Sequence, residues 1–417
     1  MGDGSIEHSD LVAEAWTKPL AEFDVANPVL FRTDSFWPYF ERLRKEDPIH
    51  YCAHGEFGPY WSITRYHDIM AIDTNHQVFS SDAHLGGITL RDMDDDFVMP
   101  MFIAMDQPKH DAQRKVVTPI VSPDNLARME GTIRERICKT LDELPRGEVF
   151  DWVDLVSIEL TTQMLATLFD FPWEDRRKLT RWSDIATASA GSPIYTTEEA
   201  RQAELLECVQ YFMGLWNERI NAPPQPDLIS MLAHGEATRN MDKMEFLGNL
   251  ILLIVGGNDT TRNSMSGTIY AFNQFPDQWA KLKANPELVH PAVSEIIRWQ
   301  TPLAYMRRTA LADHEIGGKT IRKGDRVAMW YVSGNRDEDV IENPDVLNIE
   351  RPRPRQHLSF GFGIHRCVGN RLAELQLKIL LEEMLKRFDR IEVVGEPERV
   401  HSSFVKGYAS MQVRIPA

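Results

Sequence analysis

The sequence predicts a mainly α protein with a smaller β portion, folded as one body. Three observations predict it. Helical periodicity dominates residues 104–290, with apolar residues recurring every three to four positions over 153–168, 199–221 and 244–275. Short alternating runs lie on either side of that region, at 50–53 and 60–64 before it and at 307–310, 320–321, 326–332 and 411–415 after it. No Pro/Gly/Ser-rich linker or internal repeat divides the chain, so both ends are expected to feed the same β portion.

Residues 1–25 read as a poorly ordered arm and 26–417 as a single catalytic domain. The runs at 50–53 and 60–64 read as a hairpin with Gly55 and Gly58 in its turn. Residues 85–102 carry Leu85, Ile88, Leu90, Met93, Phe97, Val98, Met101 and Phe102, and their Gly86-Gly87 pair suggests a mobile flap. Gly317-Gly318 and Lys323-Gly324 supply turns between the later strands. A last helix is expected over 368–388, its apolar stripe formed by Leu372, Leu375, Ile379, Leu380 and Phe388.

Charge and cysteine usage exclude several classes. The 46 basic and 62 acidic side chains give a net charge of −16, which argues against a general nucleic-acid binder and against adsorption to an anionic membrane. The longest apolar stretch, residues 246–257, contains Asn249 and is shorter than the roughly twenty residues a bilayer demands. Residues 1–10 are polar and acidic, unlike a signal peptide. Cys52, Cys138, Cys208 and Cys367 are widely spaced, which suits neither a disulfide framework nor a zinc site. A soluble protein of a reducing cytoplasm, with no membrane anchor, is expected.

Cys367 is the most informative residue. It closes the run Phe360-Gly361-Phe362-Gly363-Ile364-His365-Arg366-Cys367-Val368-Gly369, just before the last helix. Glycines allow a tight turn close to a bulky ligand, and a helix N-terminus favours a thiolate. Four further patterns accompany it. Gly256-Gly257-Asn258-Asp259-Thr260-Thr261 interrupts the longest helical segment with residues that disfavour helix interiors, as a groove against a ligand would. Glu295-Ile296-Ile297-Arg298 sets an acid and a base on one helix face, with Arg351 following later. His110 and Arg114 share a face of a helix begun by Asp106 and Pro108. Arg307-Arg308-Thr309-Ala310 lies on a strand-like segment.

In these motifs and their order, residues 25–417 resemble the haem-thiolate cytochrome P-450 monooxygenases. One departure is Leu347, where that family often has phenylalanine. The resemblance implies a single-domain P-450 fold with haem b between a distal long helix and a proximal cysteine loop. It implies that Cys367 ligates the iron and that His110, Arg114, Arg308 and His365 donate to the haem propionates, with Phe360 in the cysteine loop beside the haem. Arg307 is the nearest competitor of Arg308 for its place. Thr260 matches the alcohol, and Asp259 the acid, that bring protons to the oxygen chemistry. Glu295, Arg298 and Arg351 match the family's structural support for the cysteine loop. Leu252, Val255, Gly256, Leu303, Met306 and Phe404 are the implied substrate contacts, and they imply an apolar substrate.

The wording of residues 254–263 and 105–110 is similar to the soluble bacterial branch that hydroxylates alkanes and fatty acids at the terminal carbon. The implied reaction is R–H + O₂ + 2e⁻ + 2H⁺ → R–OH + H₂O. This chain has no flavin or iron–sulfur motif, so a ferredoxin of the 2Fe-2S type with its reductase, drawing on NAD(P)H, is the expected electron donor. Competing readings are hydroxylation of a sterol side chain or a terpenoid, a peroxide-driven haem-thiolate enzyme, and a non-catalytic haem sensor.

Overall fold

The computed structural model describes residues 8–92, 98–188 and 193–417. Its centre is the long helix Lys243–Gln274, begun by Asp242, whose side chain accepts from the backbone N–H of Met244 and Glu245. Such a cap satisfies donors that a helix start leaves open. Around this helix pack Glu159–Phe169, Arg177–Thr187, Val289–Gln300 and Asn370–Arg387. Their buried apolar faces, among them Leu165, Leu179, Ile254, Ile297 and Leu380, belong to one continuous core.

The β portion is drawn from both ends of the chain. A five-stranded sheet runs in the order Ile49–Cys52, Tyr60–Ile63, Arg326–Met329, Met306–Ala310, Phe79–Ser80. The hairpin at 49–63 pairs antiparallel, as the sequence predicts, with Ile49 opposite Ile63. The pairing of Tyr60–Ile63 with Arg326–Met329 is parallel. The strand expected over 326–332 stops at Met329. Tyr331–Gly334 turns helically instead, and Ser333 Oγ donates to the Thr64 carbonyl at 2.8 Å.

The expected disorder of residues 1–25 needs correction over the part described. His8–Thr17 is a helix that buries Leu11 and Ala15. It is tied to the helix Trp37–Glu46, where Tyr39 Oη donates to the Leu11 carbonyl (3.1 Å) and Arg42 to that of Ala15 (2.8 Å). Of its apolar residues only Leu11 and Ala15 are buried, and the bonds that hold the helix come from residues 28 and 27 positions away, so the local sequence carries little sign of it. Met93 and Phe97 of the expected flap lie outside the described residues. No helix among the described residues is long and apolar enough to cross a membrane.

Candidate active site

The cysteine loop is shaped by backbone that side chains resist. Gly361 and Gly363 hold φ of 63° and 66°, and a Cβ on Gly363 would meet the Asp73 carbonyl at 2.7 Å. Glycine is the residue that adopts this region without strain. The loop closes when Cys367 N–H donates to the Phe360 carbonyl at 2.8 Å, and the helix Asn370–Arg387 follows.

Cys367 opens onto a cavity lined mainly by apolar side chains. The opposite wall is the long helix, through Leu252, Leu253, Gly256, Gly257, Thr260, Thr261 and Ser264. The two glycines act differently. Gly257 allows close packing, because a Cβ there would meet Leu165 at 2.6 Å, whereas Gly256 faces open space. Thr260 Oγ1 donates to the Gly256 carbonyl at 3.1 Å, so the hydroxyl stands at the cavity wall.

Four predicted donors gather at the cysteine side. His365, Arg114 and Arg308 line the cavity. His110 is buried, with its ring centroid 4.4 Å from that of His365. His110 Nδ1 bonds Asp111 at 2.7 Å, while its Nε2 and both ring nitrogens of His365 have no partner among the described residues. Buried polar atoms without partners are costly. Burial, with Arg308, His110 and Arg114 nearby, pushes His365 down to about 2, which favours a neutral ring with one N–H left to donate. Two guanidinium groups and unpaired imidazole nitrogens around an apolar cavity suit a flat apolar group bearing carboxylates, and a single thiol faces the same space. That donor set fits a haem. Burial pushes the Cys367 thiol up from its ordinary value, against the lowering effect of the Gly369 and Asn370 N–H groups, Arg114 and Arg366.

Arg308 and Arg307 are now distinguished. Arg308 reaches the cavity, and its Nη2 pairs with Asp73 Oδ1 at 2.8 Å. Arg307 turns to Asp92 and to the carbonyls of Leu85 and Thr89. Asp73 is a residue the sequence did not disclose. It is buried, and its other oxygen accepts from Tyr331 Oη (3.0 Å) and the Phe362 N–H (2.8 Å). One carboxylate thus joins Arg308 to the cysteine loop. Asp73→Asn keeps the shape but weakens these charge-assisted bonds. It should cost about 2 kcal/mol of stability, read as a lowered denaturation midpoint with an unchanged slope.

Asp259 does not line the cavity. It is fully buried on the other side of the helix, where it accepts from Ser183 Oγ (2.9 Å), Thr187 Oγ1 (3.0 Å), Asn258 Nδ2 (2.9 Å) and Arg262 Nη2 (3.1 Å). Arg262 also pairs with Asp184 at 2.8 Å. The Arg262–Asp184 link depends on how the helix Arg177–Thr187 packs, which no local pattern reveals.

Among the expected substrate contacts, Leu252, Gly256, Leu303 and Met306 line the cavity and Phe360 joins them. Val255 and Phe404 do not. Val255 lies on the flank of the helix stripe formed by 252, 256 and 260, and Phe404 packs its ring 5.4 Å from that of Tyr305. Ile103, Val117, Ile120, Val121, Met164 and Leu168 complete the wall and read in the sequence as ordinary core.

Glu295, Arg298 and Arg351 come together away from the cavity. Arg298 forks onto Glu295 through two bonds of 2.8 Å, and Arg351 Nε reaches the same carboxylate at 3.0 Å. Arg298 also donates to the Asn335 carbonyl, while Asn335 Oδ1 accepts from the Leu358 N–H just ahead of the cysteine loop.

Residues 197–412 match the family model described as Cytochrome P450. The chain is 36% identical over 399 residues to a linalool 8-monooxygenase of Pseudomonas putida, covering 94% of this chain and 98% of that protein. It is 34% identical to a steroid C26-monooxygenase of Mycolicibacterium smegmatis, with 89% and 88% covered. Among solved structures it is similar to cytochrome P450-153 from Novosphingobium aromaticivorans (TM-score 0.88, 48% identity, 94% and 99% covered). It is also similar to CYP153D17 from Sphingomonas sp. PAMC 26605 (TM-score 0.89, 53% identity, 96% and 100% covered). Cysteine loop, long helix with Gly256-Gly257 on it and buried Glu–Arg pair thus occur in a chain that matches these proteins over nearly its whole length: it belongs to the cytochrome P450 family of monooxygenases.

Proposed function

We propose that this monooxygenase hydroxylates the terminal carbon of medium-chain alkanes or fatty acids. The observation that carries the reading is the cavity lining. Its charged residues among those described are Arg114 and Arg308, both on the cysteine side, and the wall around Thr260 is apolar. A chain end held there by shape meets Leu252, Leu253, Leu303 and Met306 and finds no charged group to anchor it elsewhere. Linalool C8 and steroid C26 are chain-end methyl carbons, so the names of two relatives are in keeping with terminal attack. The linalool relative also favours a second reading, in which the substrate is a terpenoid.

Haem, when bound, supplies oxygen activation and electron acceptance. Cys367 would ligate its iron, and His110, Arg114, Arg308 and His365 would hold its carboxylates. The protein's other work is orientation, water exclusion and proton delivery. Positioning the methyl end by apolar contacts overcomes the greater strength of a primary C–H bond. Thr260 Oγ, released from the Gly256 carbonyl, offers a proton at the cavity wall. Asp259 recharges it when its carboxyl rotates away from Arg262, whose partner Asp184 is partly exposed and leads to solvent. Electrons come from a 2Fe-2S ferredoxin and reductase using NAD(P)H, in the cytoplasm.

Thr260→Ala should lower product formed per NAD(P)H by roughly tenfold or more, with peroxide rising in step, measured as product and peroxide yields with a reconstituted electron donor. Unchanged coupling would remove Thr260 from the proton path. The substrate class is tested by titrating the holoenzyme with octane, decanoic acid and linalool and locating the hydroxyl in each product. A low-to-high-spin shift and a terminal alcohol from the linear chains are expected. A shift with linalool alone, or hydroxylation at internal carbons, would overturn the proposal.

A further inference from the structure

We infer that a second cavity, remote from the cysteine loop, binds a small organic monocarboxylate at Lys406. The cavity lies between the helix Trp37–Glu46, the ends of Lys243–Gln274 and Val289–Gln300, and the C-terminal segment around Lys406. Five cations line it, Arg44, Lys45, Arg336, Arg399 and Lys406, against four carboxylates, Asp34, Glu41, Glu338 and Asp345, which leaves one positive charge.

The pairing shows where that charge resides. Arg399 pairs with Asp34 (3.1 Å), Arg44 with Glu338 (3.1 Å), Lys45 with Glu41 (2.6 Å) and Arg336 with Asp345 (3.4 Å). Lys406 has no carboxylate within 4.0 Å among the described residues. Its ammonium donates once, to the Gln300 carbonyl at 2.6 Å. An ammonium carries three donors, so two remain for a ligand. Burial holds Lys406 down to about 7, assisted by Arg336 and Arg399 and opposed by Asp34, so an anion would restore the charge that desolvation disfavours.

The walls select the rest of the ligand. Lys406 sits 5.5 Å from the ring centre of Trp37 and 5.9 Å from that of Trp299. The indole N–H groups are already used, by Asp34 (3.1 Å) and by the Asp345 carbonyl (2.9 Å). Arg336 stands over the faces of Trp37 (4.8 Å) and Trp299 (5.4 Å) and Arg399 over Tyr270 (5.5 Å), so the rings offer the cavity the apolar surface that these cations leave open. One unpaired positive charge beside aromatic walls suits a monoanion with a flat apolar body better than a compact dianion. The site adjoins the active cavity through the backbone. Lys406 N–H donates to the Pro302 carbonyl at 2.9 Å and Val405 bridges Leu303, and both Pro302 and Leu303 line that cavity.

The test is calorimetric titration of the holoenzyme with benzoate, benzyl alcohol and inorganic phosphate, with haem absorption followed in parallel. Benzoate should bind saturably without moving the haem bands, and the alcohol and phosphate at least about tenfold more weakly. Lys406→Met should weaken benzoate by about tenfold or more, while Lys406→Arg keeps it within about threefold. Absence of benzoate binding, equal binding of phosphate or benzyl alcohol, or undiminished binding to Lys406→Met would overturn the inference. Should Lys406→Met fail to fold, the three-ligand comparison on the unaltered holoenzyme decides alone.

Discussion

Glu295→Ala is expected to destabilise the holoenzyme by about 3–5 kcal/mol, the cost of leaving one member of a buried ion pair uncompensated. Arg298 is among the largest fully buried side chains, and Glu295 is equally hidden. Without the carboxylate, Arg298 would keep its bonds to the carbonyls of Asn335, Pro344 and Val346, but no anion would balance its charge. Arg351 would lose its carboxylate partner in the same stroke, keeping only carbonyl acceptors such as Asn343 and Val346, and the Asn348 N–H would lose Glu295 Oε1, to which it donates at 2.9 Å. The damage should reach the cysteine loop, since Asn335 also bonds Leu358 and Ser359. Chemical denaturation gives the stability and haem content gives the consequence. A loss below about 1 kcal/mol, the value of an exposed pair, would show that the triad does not stabilise the fold.

Cys367→Ala is expected to reduce product formation below detection while the polypeptide still folds. The side chain faces the cavity, and the loop around it is fixed by the backbone bond from position 367 to Phe360, which alanine retains. Asp73 holds Phe362 independently. The variant therefore removes the sulfur with little disturbance of the scaffold, and circular dichroism should match that of the unaltered protein. Retained turnover with the electron donor would mean that the chemistry does not depend on this sulfur.

Much of the site was legible because its residues are close in sequence. The cysteine loop needs its glycines within ten positions, and Gly256-Gly257 with Thr260 lie within five, so the local pattern and the cavity wall coincide. The Glu295–Arg298 pair was legible for the same reason, and Arg351 followed from the resemblance. The unread residues act across long separations. Asp73 meets Arg308 from 235 positions away, and Asp259 meets Ser183 from 76, so only the packed fold brings them together. Orientation was also hidden. The sequence puts Asp259 beside Thr260, but a 100° step around the helix turns it away from the cavity. Val255, adjacent to Gly256 in sequence, stands off the lining stripe for a similar reason. The charge imbalance at Lys406 belongs to this class too, because its wall is assembled from both ends of the chain.

A thiolate bond from Cys367 to haem iron underlies all of the proposed chemistry. The absorption spectrum of the reduced holoenzyme under carbon monoxide tests it. The strongly red-shifted Soret band of thiolate-ligated haem is predicted, and it should be absent from Cys367→Ala. A band at the shorter wavelength of nitrogen-ligated haem in the unaltered protein, or a red-shifted band surviving in the variant, would contradict it.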